Sequence, residues 1–177
     1  MSELVARTGR HQQRYEGGCR LVAGCIPFRY RACDNNGDSD SAKVVEVLMI
    51  NSPSGPGLLF PKGGWENDET VEEAAAREAV EEAGVRGEKM DFIGDYHFKS
   101  KTHQDNCCPE GLCKAAMFAL LVKEELESWP EQSTRTRSWL TIAEAVENCR
   151  HKWMGEALEQ FSVWVADYKE KDSADQD

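Results

Sequence analysis

Residues 58–85 read LLFPKGGWENDETVEEAAAREAVEEAGV, and the organisation of the chain follows from how this stretch must fold. The apolar run Leu58 to Phe60 stops at Pro61, and the pair Gly63-Gly64 makes a turn. Thr70 and Glu73 have the Thr-x-x-Glu spacing of a capping box, which predicts a helix opening at Thr70. Gly84 ends that helix, because glycine accepts the left-handed backbone of a helix C-terminus. At about 100° per residue, Glu78 and Glu82 lie one turn apart on one face, with Glu81 on its flank. The same face begins with Val71, Ala74 and Ala75, so the stripe starts apolar and turns acidic.

The acidic end has the wrong sign. The carbonyl end of a helix is negative and favours Lys or Arg, whereas this last turn carries glutamates. Carboxylates one turn apart cost roughly a few tenths of a kcal/mol, and the opposing dipole costs about as much again. Arg77, expected to pair with Glu73 one turn earlier, offsets only part of this. Clustered carboxylate oxygens are what Mg²⁺ or Mn²⁺ prefers, so the local conflict reads as a metal site. A solvated acidic helix is the plain alternative, but it explains neither the glycine turn nor the reversed charge.

Gly63, five residues, Glu69, seven residues, then Arg77-Glu78-Ala79-Val80-Glu81-Glu82-Ala83-Gly84-Val85 fill every fixed position of a twenty-three-residue pattern, and the stretch resembles the complete Nudix box. That resemblance implies an α/β fold, the Nudix-type α/β/α sandwich on a mixed β-sheet, and hydrolysis of a diphosphate linked to a further group. It implies Glu81 and Glu82 as metal ligands, Glu78 as a ligand or the base that activates water, and a ligating carbonyl at Gly63. Gly64, Glu69, Arg77 and Gly84 then look structural, with the arginine orienting a carboxylate. A further acid outside the box is often part of such sites, and Glu124, Glu125, Glu127 and Glu131 are candidates.

Composition narrows the rest. A chain of 177 residues, 40% hydrophobic, can bury one core. A net charge of −11 argues against general nucleic-acid binding, so a polyphosphate must be met by local basic residues and a metal. No apolar stretch approaches the roughly 20 residues that span a bilayer, and no membrane partner is expected. Seven cysteines without paired Cys-x-x-Cys spacing point to a reducing compartment, with a cytoplasmic location expected and the nucleus or mitochondrion as alternatives. Arg7, Arg10 and Arg14 hint at an organellar presequence, but Glu3 and Glu16 interrupt it.

In chain order, residues 1–18 form a basic-leaning arm, residues 19–168 the hydrolase domain and residues 169–177 a charged tail. Strands are expected over Cys19 to Tyr30, Lys43 to Asn51, Leu58 to Phe60, Asp91 to Phe98, Lys114 to Lys123 and Arg137 to Leu140. A second capping box, Thr141 with Glu144, opens a helix to about Cys149, and a longer one runs from His151 to about Tyr168. The loop 99–113 contains His103, Cys107, Cys108 and Cys113, whose spacing fits no standard zinc framework; reduced thiols are the preferred reading.

Outside the box, RLVAGCIPFR from Arg20 to Arg29, LESWP from Leu126 to Pro130, RSWL from Arg137 to Leu140 and CRHK from Cys149 to Lys152 resemble the plant-type branch of the diphosphoinositol and diadenosine polyphosphate phosphohydrolases. Lys62 departs from the animal-type pattern, where glycine is usual before Gly63-Gly64. The resemblance implies a small-molecule polyphosphate substrate cradled by Arg14, Arg20, Lys62 and Lys152. Solubility is the simpler reading of Arg14 and Arg20, and a solvated helix start that of Lys152. Two other functions stay open: the same chemistry on ADP-ribose, NADH or capped RNA, and a non-catalytic polyphosphate-binding module, which a broken box would favour.

Overall fold

The computed structural model describes residues 14–16, 19–32, 43–53, 55–99 and 111–174. Among these residues, eight strands form one mixed sheet: β1 (Tyr15–Glu16), β2 (Cys19–Ala32), β3 (Lys43–Asn51), β4 (Leu58–Leu59), β5 (Lys62–Gly64), β6 (Val85–Lys99), β7 (Leu112–Glu125) and β8 (Arg137–Thr141). Three α-helices accompany them among the described residues: α1 (Val71–Glu78), α2 (Ile142–Asn148) and α3 (Lys152–Ala174). The main strand order is β4-β3-β2-β7-β6, with β1 and β5 also on β2 and β8 on β3. β7 runs parallel to β2, while the other pairings are antiparallel. Val22, Ala23 and Gly24 pair with β5 and also with β7, which puts those two strands on opposite edges of β2.

Strand alternation divides the apolar side chains between two layers. Val22, Ile26 and Phe28 of β2 join Val47 and Met49 of β3 against Met154, Ala157, Leu158, Phe161 and Val165 of α3. The α3 residues recur at three and four, the stripe of an amphipathic helix. Each large side chain buried here contributes about 1.5–3 kcal/mol. On the other face, Ala23, Cys25, Leu48 and Ile50 meet Ala74, Ala75, Ala79 and Ala83. Those alanines let the helix approach the sheet closely, so the acidic end of the box comes down on β5. The result is the α/β/α sandwich expected.

Several boundaries differ from the sequence reading, each for a physical reason. β5 occupies residues read as a turn, because Lys62, Gly63 and Gly64 find pairing partners on β2. β6 begins at Val85 rather than Asp91: it is an edge strand whose first half is largely exposed, so apolar alternation is not required of it. The box helix becomes a π-helical turn over Ala79–Ala83 before Gly84 closes it at φ 63°, ψ 38°. α3 continues past Tyr168 to Ala174. Both capping boxes form, at Thr70 with Glu73 and at Thr141 with Glu144. Among the described residues no helix is long and apolar enough to cross a membrane.

Candidate active site

The site is the contact between β5 and the acidic end of the box helix. A Cβ on Gly63 would fall on the carboxylate of Glu78, so only glycine lets the strand come this close. One residue earlier, the backbone N–H of Lys62 donates to Glu82 Oε1 at 3.2 Å. Two of the three box carboxylates therefore converge on the backbone of one three-residue strand.

Arg77 holds the rest of the cluster. Its Nε and Nη2 bind Glu69 bidentately at 2.6 and 2.9 Å, its Nη1 donates to Glu78 Oε1 at 2.9 Å and Glu81 Oε2 at 3.0 Å, and its Nη2 donates to the Gly64 carbonyl at 2.9 Å. All five guanidinium donors are engaged. The expected pairing with Glu73 is replaced by this set, because Glu73 Oε1 accepts from the Thr70 N–H in the capping box. Burial alone would disfavour the guanidinium charge, but Glu69, Glu78 and Glu81 raise its pKa above the usual value.

The remaining carboxylates are under electrostatic pressure. Burial pushes the Glu78 carboxyl well above the ordinary range, the charge of Glu82 adds to it, and Arg77 opposes. Burial pushes Glu82 up to about 7, with Lys62 and Arg135 opposing and Glu131 adding. Arg77 alone does not neutralise the cluster. An all-oxygen donor set, short of positive charge and pressed against a strand with no side chain in the way, fits a hard divalent cation. Glu78, Glu81 and Glu82 would hold it by drawing their oxygens together, since among the described residues the three carboxylates that already bring oxygens within 4.8 Å of one another are Glu66, Asp68 and Glu69.

Of the four basic residues of the expected cradle, Lys62 and Arg20 lie together, while Arg14 is bonded elsewhere. Lys62 sits beside the cluster with its ammonium 4.9 Å from the Phe98 ring centroid; burial lowers its pKa, Glu82 opposes and Arg20 adds. Arg20 is buried near it. Arg14 is turned to another task, donating to the carbonyls of Glu66, Asn67 and Glu69 at 2.9–3.2 Å and lying over the Trp65 ring. Lys152 is exposed at the start of α3. His151, not singled out in the sequence, has its pKa lowered by burial and then by the charges of Lys62 and Arg150. The acids outside the box also divide. Glu124 lies 3.9 Å from Arg86, Glu125 accepts from Trp139 Nε1, and the Glu127 carbonyl accepts from Gln132. Glu131 bears on Glu82, with its backbone N–H on the Glu81 carbonyl at 3.0 Å. His103, Cys107 and Cys108 lie outside the described residues; Cys113 is buried and donates to the Gly111 carbonyl.

A family model described as NUDIX domain matches residues 34–161. The chain belongs to the Nudix family. This Nudix hydrolase is 73% identical over 172 residues to "Nudix hydrolase 16, mitochondrial" of Arabidopsis thaliana, covering 97% of this chain and 94% of the relative. It is 28% identical over 151 residues to diphosphoinositol polyphosphate phosphohydrolase 2 of Rattus norvegicus, covering 82% of this chain and 73% of that one. Among solved structures, a C. elegans Ap4A hydrolase binary complex superposes with TM-score 0.57 at 21% identity, covering 82% of this chain and 97% of the other, which shows the shared fold.

Proposed function

We propose that this Nudix hydrolase is a divalent-metal-dependent pyrophosphohydrolase that cleaves a phosphoanhydride bond in diphosphoinositol polyphosphates, diadenosine polyphosphates or both. The observation that carries this reading is the convergence of Glu78 and Glu82 on Gly63 and Lys62, with Glu81 held beside them by Arg77. When bound, Mg²⁺ or Mn²⁺ supplies charge neutralisation at the anhydride oxygens. Glu78, Glu81 and Glu82 hold the ion, and Glu131 is the favoured acid from outside the box. Arg77 fixes the directions of Glu78 and Glu81 and has no donor left for substrate. Lys62, with Arg20 and His151 near it, meets the extra phosphates that an acidic surface would otherwise repel. The rat relative's name and the segments outside the box support the substrate class.

A panel containing an inositol pyrophosphate, a diadenosine polyphosphate, ADP-ribose, NADH and capped RNA, assayed with Mg²⁺ and with Mn²⁺, tests the proposal. Turnover of either of the first two above the others supports it. Preference for ADP-ribose, NADH or capped RNA moves the enzyme to the second substrate class, and no turnover with either metal leaves a binding module. The Arabidopsis relative's name favours the mitochondrion over the cytoplasm as the compartment. Imaging the full chain fused at its C-terminus to a fluorescent protein tests that; a diffuse cytosolic signal would overturn it.

A further inference from the structure

The segment between β7 and β8 grips the end of the box helix. Four consecutive carbonyls, Glu81 to Gly84, each accept from it or from the first residue of β8: Glu81 from the Glu131 N–H at 3.0 Å, Glu82 from Trp129 Nε1 at 3.2 Å, Ala83 from Arg137 Nη1 at 3.5 Å and Gly84 from the Leu126 N–H at 2.7 Å. Arg137 Nη1 also reaches the Gly84 and Leu126 carbonyls at 3.1 and 3.0 Å, and its guanidinium lies 4.1 Å from the Trp129 ring centroid. Trp129 covers Gly84 so closely that a Cβ there would sit 2.6 Å from the indole Cδ2. The far end of the segment is tied to β3, where Asn51 bonds Thr134, Arg135 and Thr136.

The electrostatics follow from those contacts. The last turn holds Glu81 and Glu82 at the negative end of the helix and has no basic residue of its own. Arg137 directs its bonds to carbonyls, and no ion pair to it is found among the described residues, so its charge supplies what the helix lacks. From this we infer that Arg137 and Trp129 are positioning residues that hold the π-helical turn so that Glu81 and Glu82 face a bound divalent ion. This rests on the metal site proposed above. Neither residue touches substrate; each acts through the backbone that carries the ligands, as outer partners do at metal sites.

The test is Mn²⁺ binding to the substrate-free protein, read from the electron paramagnetic resonance signal of free Mn²⁺, for R137M, R137K, W129F and E82Q. R137M is expected to weaken binding by about tenfold or more, the range for loss of such a partner. R137K keeps the charge and recovers part of the affinity, and W129F, which keeps an aromatic ring over Gly84 but loses the bond to the Glu82 carbonyl, gives a smaller loss. Thermal melting separates this from general damage, and kcat is expected to fall with KM little changed. Parent-like Mn²⁺ affinity in R137M and W129F, with E82Q weakened, would overturn the positioning role alone. Parent-like affinity in E82Q as well would overturn the metal site beneath it.

Discussion

Gly63 and Glu78 interlock: the space that a side chain at residue 63 would need is the space the Glu78 carboxylate fills. The contact is imposed from both sides, since Gly63 is paired with Ala23 of β2 and Glu78 is tethered to Arg77. Gly63→Ala must therefore displace either the strand or the carboxylate. Overpacking of this kind costs about 1–3 kcal/mol. A lower melting temperature together with weakened Mn²⁺ binding is expected, and calorimetry beside a metal titration reads both. An alanine variant matching the parent in both measurements would remove the contact from the account of the site.

Glu81 and Glu82 look equivalent in sequence but are not equivalent in the fold. Glu81 is buried and accepts from Arg77 at 3.0 Å, whereas Glu82 accepts only a backbone N–H among its described hydrogen bonds and is pressed toward neutrality. Both Glu81→Gln and Glu82→Gln should lower turnover by orders of magnitude. Only Glu81→Gln should also lose stability, by about 1.5–3 kcal/mol for a bond to a charged group. Glu82→Gln should melt at or above the parent in metal-free buffer. Activity assays paired with denaturant unfolding check the pair; equal stabilities would mean that the Arg77 contact is unimportant to the fold.

The capping boxes, the glycine stop and the crowding of carboxylates could be read in advance because each is a local rule acting within one turn of chain. Strands before and after the box helix, with a terminal helix behind them, likewise suggest helices on two sides of a mixed sheet. Arg77 shows where such reading stops: Glu73 is the neighbour that helical spacing suggests, but Glu69, across the capping turn, makes the bidentate pair. Arg137 and Trp129 lie fifty-four and forty-seven positions from the carbonyls of Ala83 and Glu82 that they cap, and nothing near them in sequence marks that distance as closed. The sequence offers the helix's missing terminal cation, a demand for a partner without an address, and two family-like segments, 126–130 and 137–140, that carry these residues without saying what they reach.

Arg14 and Lys152 are cradle candidates by sequence, and the structure gives them different consequences. Loss of Arg14 removes three bonds to the carbonyls of the loop within the box, so Arg14→Ala should lower stability and slow turnover of every substrate alike. Lys152→Ala, at an exposed helix start, should leave melting unchanged and raise KM for an inositol pyrophosphate more than for ADP-ribose. Kinetics of both variants on both substrates decide this. A selective effect of Arg14→Ala on the inositol substrate would return that arginine to the cradle, and equal effects of Lys152→Ala would take the lysine out of it.

Cys25 gives the fold an alkaline sensitivity that is read in metal-free buffer. It sits under α1, donates to the Ala75 carbonyl at 3.3 Å, and its thiol is pushed from 9.0 up to about 12, first by burial and then by the charge of Glu78. Because the folded pKa lies above the unfolded one, the protonated thiol contributes stability that is complete below about pH 9 and is lost as the pH climbs toward 12. Denaturant unfolding at about pH 8 and about pH 10.5 should show a steeper loss in the parent than in Cys25→Ala, since the unfolded thiol ionises in that interval while the folded one does not. At the lower pH the native thiol should resist alkylation until the protein is unfolded. Parallel pH slopes in parent and variant, or rapid labelling of the native protein at this position, would show that the thiol is neither sealed nor shifted as its burial requires.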